Sequence, residues 1–282
     1  MLLQQVLPSK CLKRLKIVYL KELMRILTIY MCKNRRVFHP ENYASVVHQK
    51  GVEQDIYVVS TEPLMTEGVR DIVVPVKEEW PLPIRVGYSI NTALGVLNRA
   101  GKKLDRYSYL FKVDNDVLLP SDYLKTLIAK GSPIAGVGPA LLISTLFFLT
   151  KLNGKYPLKH CDDGYVAALS VSIGAWPPAY DGKGRLILPP IRYIHAREFA
   201  YGVEYYKWGL PTQLLILIPV ASRLLKLMPH EKRSFGANLT NIAGYLWAAL
   251  HRVKKYSFHE KYGRMRSRHF AEKSLRVLLL KR

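Results

Sequence analysis

What most constrains this chain is an alternation of short apolar runs of strand length with helix-length stretches that close on glycine. Ile26–Met31 (ILTIYM), Asp55–Thr61 (DIYVVST), Asp71–Val76 (DIVVPV) and Tyr107–Val113 (YSYLFKV) are the runs. Each has the length and the Val, Ile and aromatic content of a buried strand, and Pro75 places the third at an edge or strand end. Between them, His39–Lys50 is predicted to be a helix stopped by Gly51, and Val86–Ala100 a helix stopped by Gly101. Ser121 is placed to cap a helix over Asp122–Lys130, closed by Gly131. Strands alternating with helices predict an α/β fold around a mostly parallel sheet. Ligands of such sheets bind beyond the carboxyl ends of the strands. That rule gathers Tyr30–Lys33, Ser60–Glu62 and Asp114–Asp116 on one rim.

Beyond Gly131 the pattern loosens. Ile134–Thr150 reads as a strand and a helix start around a Gly-Pro, Asp162–Val171 as a short helix, 177–190 as loop, and Arg197–Trp208 as a helix ended by Gly209. The last part of the chain changes character. Leu214–Met228 and Phe235–Val253 are apolar segments too short or too interrupted to span a bilayer, and both are expected to be helices lying in a membrane interface. The chain therefore divides into a basic extension over 1–23, an α/β domain over 24–210, and a basic helical tail over 211–282 that associates with membranes.

Charge follows the same division. The net charge is +22, and from Pro211 onward there are 15 Lys and Arg against 3 Asp and Glu. Such an excess implies a polyanionic partner: nucleic acid, anionic lipid or phosphorylated substrate. No nucleic-acid motif accompanies it, although a basic nucleic-acid-binding protein stays open as an alternative. With 49% apolar residues the chain can build a core. Cys11, Cys32 and Cys161 are three widely spaced cysteines without a C-x-x-C, which argues against a zinc ribbon or a disulfide framework. No secretory signal is read at the N-terminus. A cytoplasmic protein, peripheral on the inner face of a membrane, is expected.

The chemistry centres on Asp114-x-Asp116. Strand periodicity is expected to put both carboxylates on one side as the chain leaves the sheet, and hard oxygen ligands at that place suit Mn²⁺ or Mg²⁺. The competing reading is an Asp pair that caps a turn.

The stretch YSYLFKVDNDVLLPSDYL resembles the strand, DxD motif and helix start of GT-A fold glycosyltransferases, particularly family-2-like ones. Ile84–Asn98 (IRVGYSINTALGVLN) and Lys159–Val166 (KHCDDGYV) are similar to two further segments of that family, and the likeness covers about residues 24–210. The resemblance implies a GT-A, Rossmann-like sheet flanked by helices. It also implies a metal-dependent transfer of sugar from a nucleotide-diphosphate sugar to an acceptor hydroxyl or lipid phosphate, with inversion. Its acidic helix start makes Asp163, or else Asp162, the base that takes the acceptor's proton, while Asp is also favoured at helix starts as a cap. Tyr30, Glu62, Arg85, Asn91, Asp114 and Arg197 are then candidates for donor binding, and His195 for a metal ligand beside Asp114 and Asp116. Ser60-Thr61-Glu62 replaces the acidic pair usual in the family. His195 also reads as a histidine at a loop edge, Arg197 as the partner of Glu198 or Glu204, and Lys112, with Arg85 a lesser candidate for phosphate contact, as a solvated strand charge. Tyr201, Tyr205, Tyr206 and Trp208 line a basic helix whose face suits a sugar, a headgroup or the core equally. A sugar nucleotidyltransferase is the alternative enzyme, but Tyr30–Asn34 lacks the glycine-rich loop such enzymes carry.

Overall fold

The computed structural model describes residues 24–190, 194–217 and 235–280. The extension over 1–23, and 218–228 of the first tail segment, lie outside the described residues. A six-stranded sheet forms the centre, in the order β3-β2-β1-β4-β6-β5. Its strands are β1 (Arg25–Met31), β2 (Glu53–Ser60), β3 (Asp71–Val73), β4 (Tyr109–Asp114), β5 (Ile134–Val137) and β6 (Ala140–Ser144). The first four are parallel, with Met31 in register with Val59 on one side and Asp114 on the other. β6 runs antiparallel to both β4 and β5. The expected α/β class with a mostly parallel sheet is therefore what the chain forms.

Alternation along the strands divides the core. Leu27, Ile29 and Leu110 face α2 (Leu82–Arg99), α4 (Thr145–Lys151) and α5 (Asp162–Ser172). Ile26, Tyr30, Phe111 and Val113 face α1 (Pro40–Val47) and α3 (Tyr123–Ala129). Because Lys112 follows Phe111 and precedes Val113, it shares the α5-facing side with Leu110. That period of two is what carries a lysine and then Asp114 toward the start of α5.

Three local expectations are corrected. Ile134–Thr150 holds two strands and a helix: Gly138-Pro139 makes a tight reversal, so β5 and β6 form a hairpin before α4 begins. Gly136 sits there at φ 94°, and a Cβ on it would lie 2.3 Å from the carbonyl of Ala140. Helix α2 starts at Leu82, earlier than Val86, because Pro83 fits the first turn of a helix, where its missing N–H costs nothing. The N-cap of α3 is Asp122, not Ser121, and it makes no side-chain cap; its carboxylate accepts from Tyr180 Oη at 2.6 Å.

The C-terminal helices are α6 (His195–Trp208), α7 (Phe235–Leu250) and α8 (His259–Leu280). Most of the basic run from Lys254 to Arg268, within the tail expected to be helical, belongs to α8. Glycines let α6 and α7 meet closely: a Cβ on Gly202 would fall 2.0 Å from the Asn241 carbonyl, and one on Gly244 2.1 Å from that of Phe199. Buried Glu198 accepts from Asn241 Nδ2 at 2.9 Å, and buried Glu204 from Lys207 at 2.6 Å and Tyr256 Oη at 2.8 Å. A third core joins Ala168 and Val171 of α5 to Trp208, Leu214, Tyr245 and Tyr262. Residues on both sides of position 210 thus share one apolar cluster. One face of the Phe235–Val253 segment packs on protein rather than lying free. Among the described residues no helix is long and apolar enough to cross a membrane.

Candidate active site

The site forms where β4 ends. The strand stops at Asp114, and Asn115 and Asp116 make a turn. Strand periodicity therefore does not carry on to Asp116, and the two carboxylates take different surroundings. The turn is held from several directions. The Asn115 carbonyl accepts from Tyr30 Oη at 3.2 Å and from Asn42 Nδ2 at 2.8 Å, and the Asn115 side chain donates to the Val37 carbonyl. The Asp114 N–H donates to the Pro139 carbonyl at 2.8 Å, which ties the turn to the β5–β6 hairpin.

Asp114 is paired internally. Lys112 Nζ lies 2.8 Å from its Oδ1 and 2.9 Å from its Oδ2, and also donates to the Gly138 carbonyl at 3.0 Å. Lys112 is 4% exposed, so it is a buried counter-ion and not a solvated strand charge. Burial alone would lower its pKa, but Asp114, Asp162 and Asp163 outweigh this and hold it above the ordinary lysine value. Asp116 is exposed, with no hydrogen bond or ion pair to another described residue.

The first residues of α5 complete the cluster. Gly138 offers the space: a Cβ there would lie 1.6 Å from Asp163 Oδ2, so only glycine lets that carboxylate rest against the hairpin turn. Gly138 thus touches Lys112 through its carbonyl and Asp163 through its α-carbon. Asp163 Oδ1 accepts from the Gly164 N–H at 2.7 Å, while no side-chain capping bond precedes the helix. Asp163 remains half-buried, whereas Asp162 is 8% exposed. Burial first, and Asp163 second, push the Asp162 carboxyl up to about 7, against the pull of Lys112. Tyr156 is buried beside the two carboxyls. Burial raises its phenol well above the usual value, and Asp162, Asp163 and Asp114 add to that. Burial likewise drives the Cys161 thiol well up, leaving it a poor nucleophile.

The remaining candidates separate. Tyr30 is fully buried, packed edge-on against Phe38 and Tyr43, so it supports the Asp114–Asp116 turn and does not face a ligand. Asn91 is also a support: its amide donates to the Tyr156 carbonyl at 2.9 Å and accepts from the Tyr156 N–H at 2.7 Å. Both side chains are thus engaged by the backbone of a distant neighbour. Glu62 is exposed at the end of β2, on the predicted rim. Arg85 lies in the first turn of α2, half-buried, with a buried Nε that meets no acceptor. Arg197 sits 3.9 Å from Glu198 and over the Tyr201 ring at 5.9 Å, the ion-paired reading of this residue. His195 is exposed at the start of α6, and its Nδ1 meets Thr240 Oγ1 at 3.1 Å. It does not join Asp114 and Asp116: among the described residues no three His, Cys, Asp or Glu are gathered to hold a metal ion. Trp208 is buried in the third core, which gives that end of the aromatic face a packing role.

Sequence inspection missed Tyr156 and Gly138 altogether and undervalued Lys112. The signal for Lys112 was present: a lysine two residues before an aspartate on a strand shares its face. Nothing local signals Tyr156, whose backbone is held by Asn91 and whose phenol lies beside the carboxylates.

The chain matches no family model and no curated protein. Similar solved structures include the mannosyltransferase PcManGT from Pyrobaculum calidifontis in complex with GDP-Man and Mn²⁺, at 13% identity, 86% of this chain, 84% of that one and a TM-score of 0.46. Residues 1–349 of S. aureus TarS in complex with UDP are similar at 12% identity, 86% of this chain, 87% of that one and a TM-score of 0.46. At that distance the likeness lies in the course of the chain alone.

Proposed function

We propose that the protein is an inverting glycosyltransferase that uses a nucleotide-diphosphate sugar and a divalent metal. The observation that carries this is the convergence on Gly138: Asp163 against its α-carbon, Lys112 on its carbonyl, Asp114 on Lys112, and Asp116 free on the rim. In this reading Asp163 accepts the proton of the acceptor hydroxyl as its oxygen attacks the anomeric carbon and the bond to the nucleoside diphosphate breaks. Asp162, its carboxyl raised by burial, is the buried member of the pair, and Asp163 is the accessible one. Lys112 fixes Asp114 and offsets its repulsion of Asp163.

The residues present fit a metal that arrives with its substrate. Mg²⁺ and Mn²⁺ are commonly held by one or two carboxylates together with substrate phosphates, not by a complete protein cage. Asp116 is the free carboxylate, with Asp114 adjacent. When bound, the metal would neutralise charge on the departing diphosphate. Glu62 and Arg85 are placed on or near the rim for donor contacts.

The acceptor is proposed to be met at a membrane surface. Leu239, Leu246 and Leu250 are exposed at 50%, 47% and 80% along the face of α7 turned away from α6, Trp247 is 44% exposed at its margin with its ring against Phe199 of α6, and α7 contains no charged residue. Arg252, Lys254 and Lys255 follow directly. An apolar stripe beside a basic run suits an anionic bilayer surface.

A panel of nucleotide sugars with Mn²⁺, read by release of nucleoside diphosphate and by thermal stabilisation, tests the transfer reading. Stabilisation by one donor that Asp116→Ala abolishes is expected. Absence of both signals across the panel would remove the reading. Flotation with anionic vesicles, expected for wild type and lost in Trp247→Glu/Leu250→Glu, tests the membrane part.

A further inference from the structure

A groove beside the carboxylate cluster carries positive charge that the proposed chemistry does not use. It has a volume of about 280 Å³ and is lined by Asn91, Tyr156, Tyr165 and three lysines, Lys151, Lys155 and Lys159. Leu152, Pro157 and Leu158 also line it, and no acidic residue does. Lys151 ends α4, and Asn153 and Gly154, at φ 54° and 67°, reverse the chain so that Lys155 returns to the same groove. Lys159 precedes α5, its ammonium 5.3 Å from the Tyr256 ring centroid and 6.0 Å from that of Tyr165, contacts that hold it over an aromatic wall. None of the three lysines makes an ion pair with a described residue. Three like charges facing one concavity repel one another, and an anion relieves that repulsion. Tyr156 belongs to both places. It lines the groove, and its buried phenol feels Asp162, Asp163 and Asp114.

We infer that this groove is an anion subsite that seats a phosphate or diphosphate group of the acceptor, next to Asp163. The inference rests on the transfer reading for its role, and on the groove alone for its chemistry. Such a group can belong to a soluble phosphorylated acceptor or to one carried on a lipid. Leu146, Leu149 and Leu158, exposed at 73%, 42% and 49% on and beside the same lysine-bearing segment, would meet the chain of the second kind.

The test uses the full chain in EDTA, which silences metal-dependent donor binding. Inorganic pyrophosphate and a short-chain prenyl diphosphate are each titrated against wild type, against Lys151→Gln/Lys155→Gln/Lys159→Gln, and against an equal loss of charge at three exposed lysines elsewhere, Lys50→Gln/Lys103→Gln/Lys125→Gln. The groove variant is expected to bind both probes about tenfold more weakly than wild type, with the control unchanged. Lys155→Gln alone, at an exposed position, should show part of the loss and guards against a folding artefact. Tighter wild-type binding of the prenyl probe would assign the lipid source, and equal binding the soluble one. Equal affinities in wild type and groove variant, or an equal loss in the control, would overturn the inference. Release of nucleoside diphosphate from donor with Mn²⁺ and no acceptor is measured in parallel and should be the same in wild type and groove variant. If no donor of the panel is consumed or stabilises the wild type, the transfer reading fails, while the anion titration still decides the groove.

Discussion

Lys112 is the residue whose replacement says most about the site. Lys112→Met keeps nearly the same length and removes the one ammonium bound to Asp114. The side chains are 6% and 30% exposed, so the pair is buried on the lysine side and partly open on the other. Removing one partner of a buried ion pair costs about 3–5 kcal/mol, and the partial exposure of Asp114 puts the expected loss at the lower end, about 3 kcal/mol. In a chain of this size that is a fall of about 6–12 °C in Tm. Asp114→Asn on its own leaves Lys112 buried without its carboxylate and should also destabilise. The double variant should lose less than the two singles added together, with a coupling of about 1–3 kcal/mol. The pH dependence has a definite sign. Without Lys112 the Asp114 carboxyl, already raised by burial, rises further above its unfolded value. A carboxyl raised in the folded state contributes stability that is full below its unfolded pKa and lost as pH rises through the folded one. The deficit of Lys112→Met should therefore be larger at pH 8 than at pH 5. Urea denaturation followed by circular dichroism, without metal, measures each quantity. A deficit below about 0.5 kcal/mol at pH 8 would refute the buried-pair account. Additive single losses, or a deficit independent of pH, would refute it as well.

Three further outcomes are expected. Asp163→Asn should cut turnover by about 10²–10⁴ with donor-induced stabilisation kept, and lost donor affinity with turnover preserved would move this residue to the donor side. Asp162→Asn should flatten the fall in stability that wild type shows as pH rises from about 3.8 toward about 7, the window set by its raised carboxyl; an unchanged profile would place the titrating group elsewhere. Gly138→Ala should abolish transfer with the sheet intact by circular dichroism, because its Cβ would stand 1.6 Å from Asp163 Oδ2, and an active variant would show that Asp163 need not rest on that turn.

The sequence by itself determined the sheet and the rim. Runs such as Ile26–Met31 and Tyr107–Val113 are apolar enough and short enough to be buried strands, and the glycine-closed helices between them require parallel pairing. That was sufficient to bring Asp114 to the carboxyl end of β4 and Asp162–Asp163 to a helix start. Tertiary structure decided which of these side chains remain free. Whether Tyr30 and Asn91 face a ligand or support a neighbour depends on Asn115 and Tyr156, residues 85 and 65 positions away. Whether His195 meets Asp114 depends on where α6 is laid, and α6 is set by its glycine contacts with α7. The hairpin at Gly138 had the same logic. A Gly-Pro announces a turn, but only the packed fold shows that the missing Cβ leaves room for Asp163 and that the carbonyl beside it holds Lys112. Local periodicity fixes the direction in which a side chain leaves its own element. Its partner is chosen by the element packed against it, through distances the sequence does not contain.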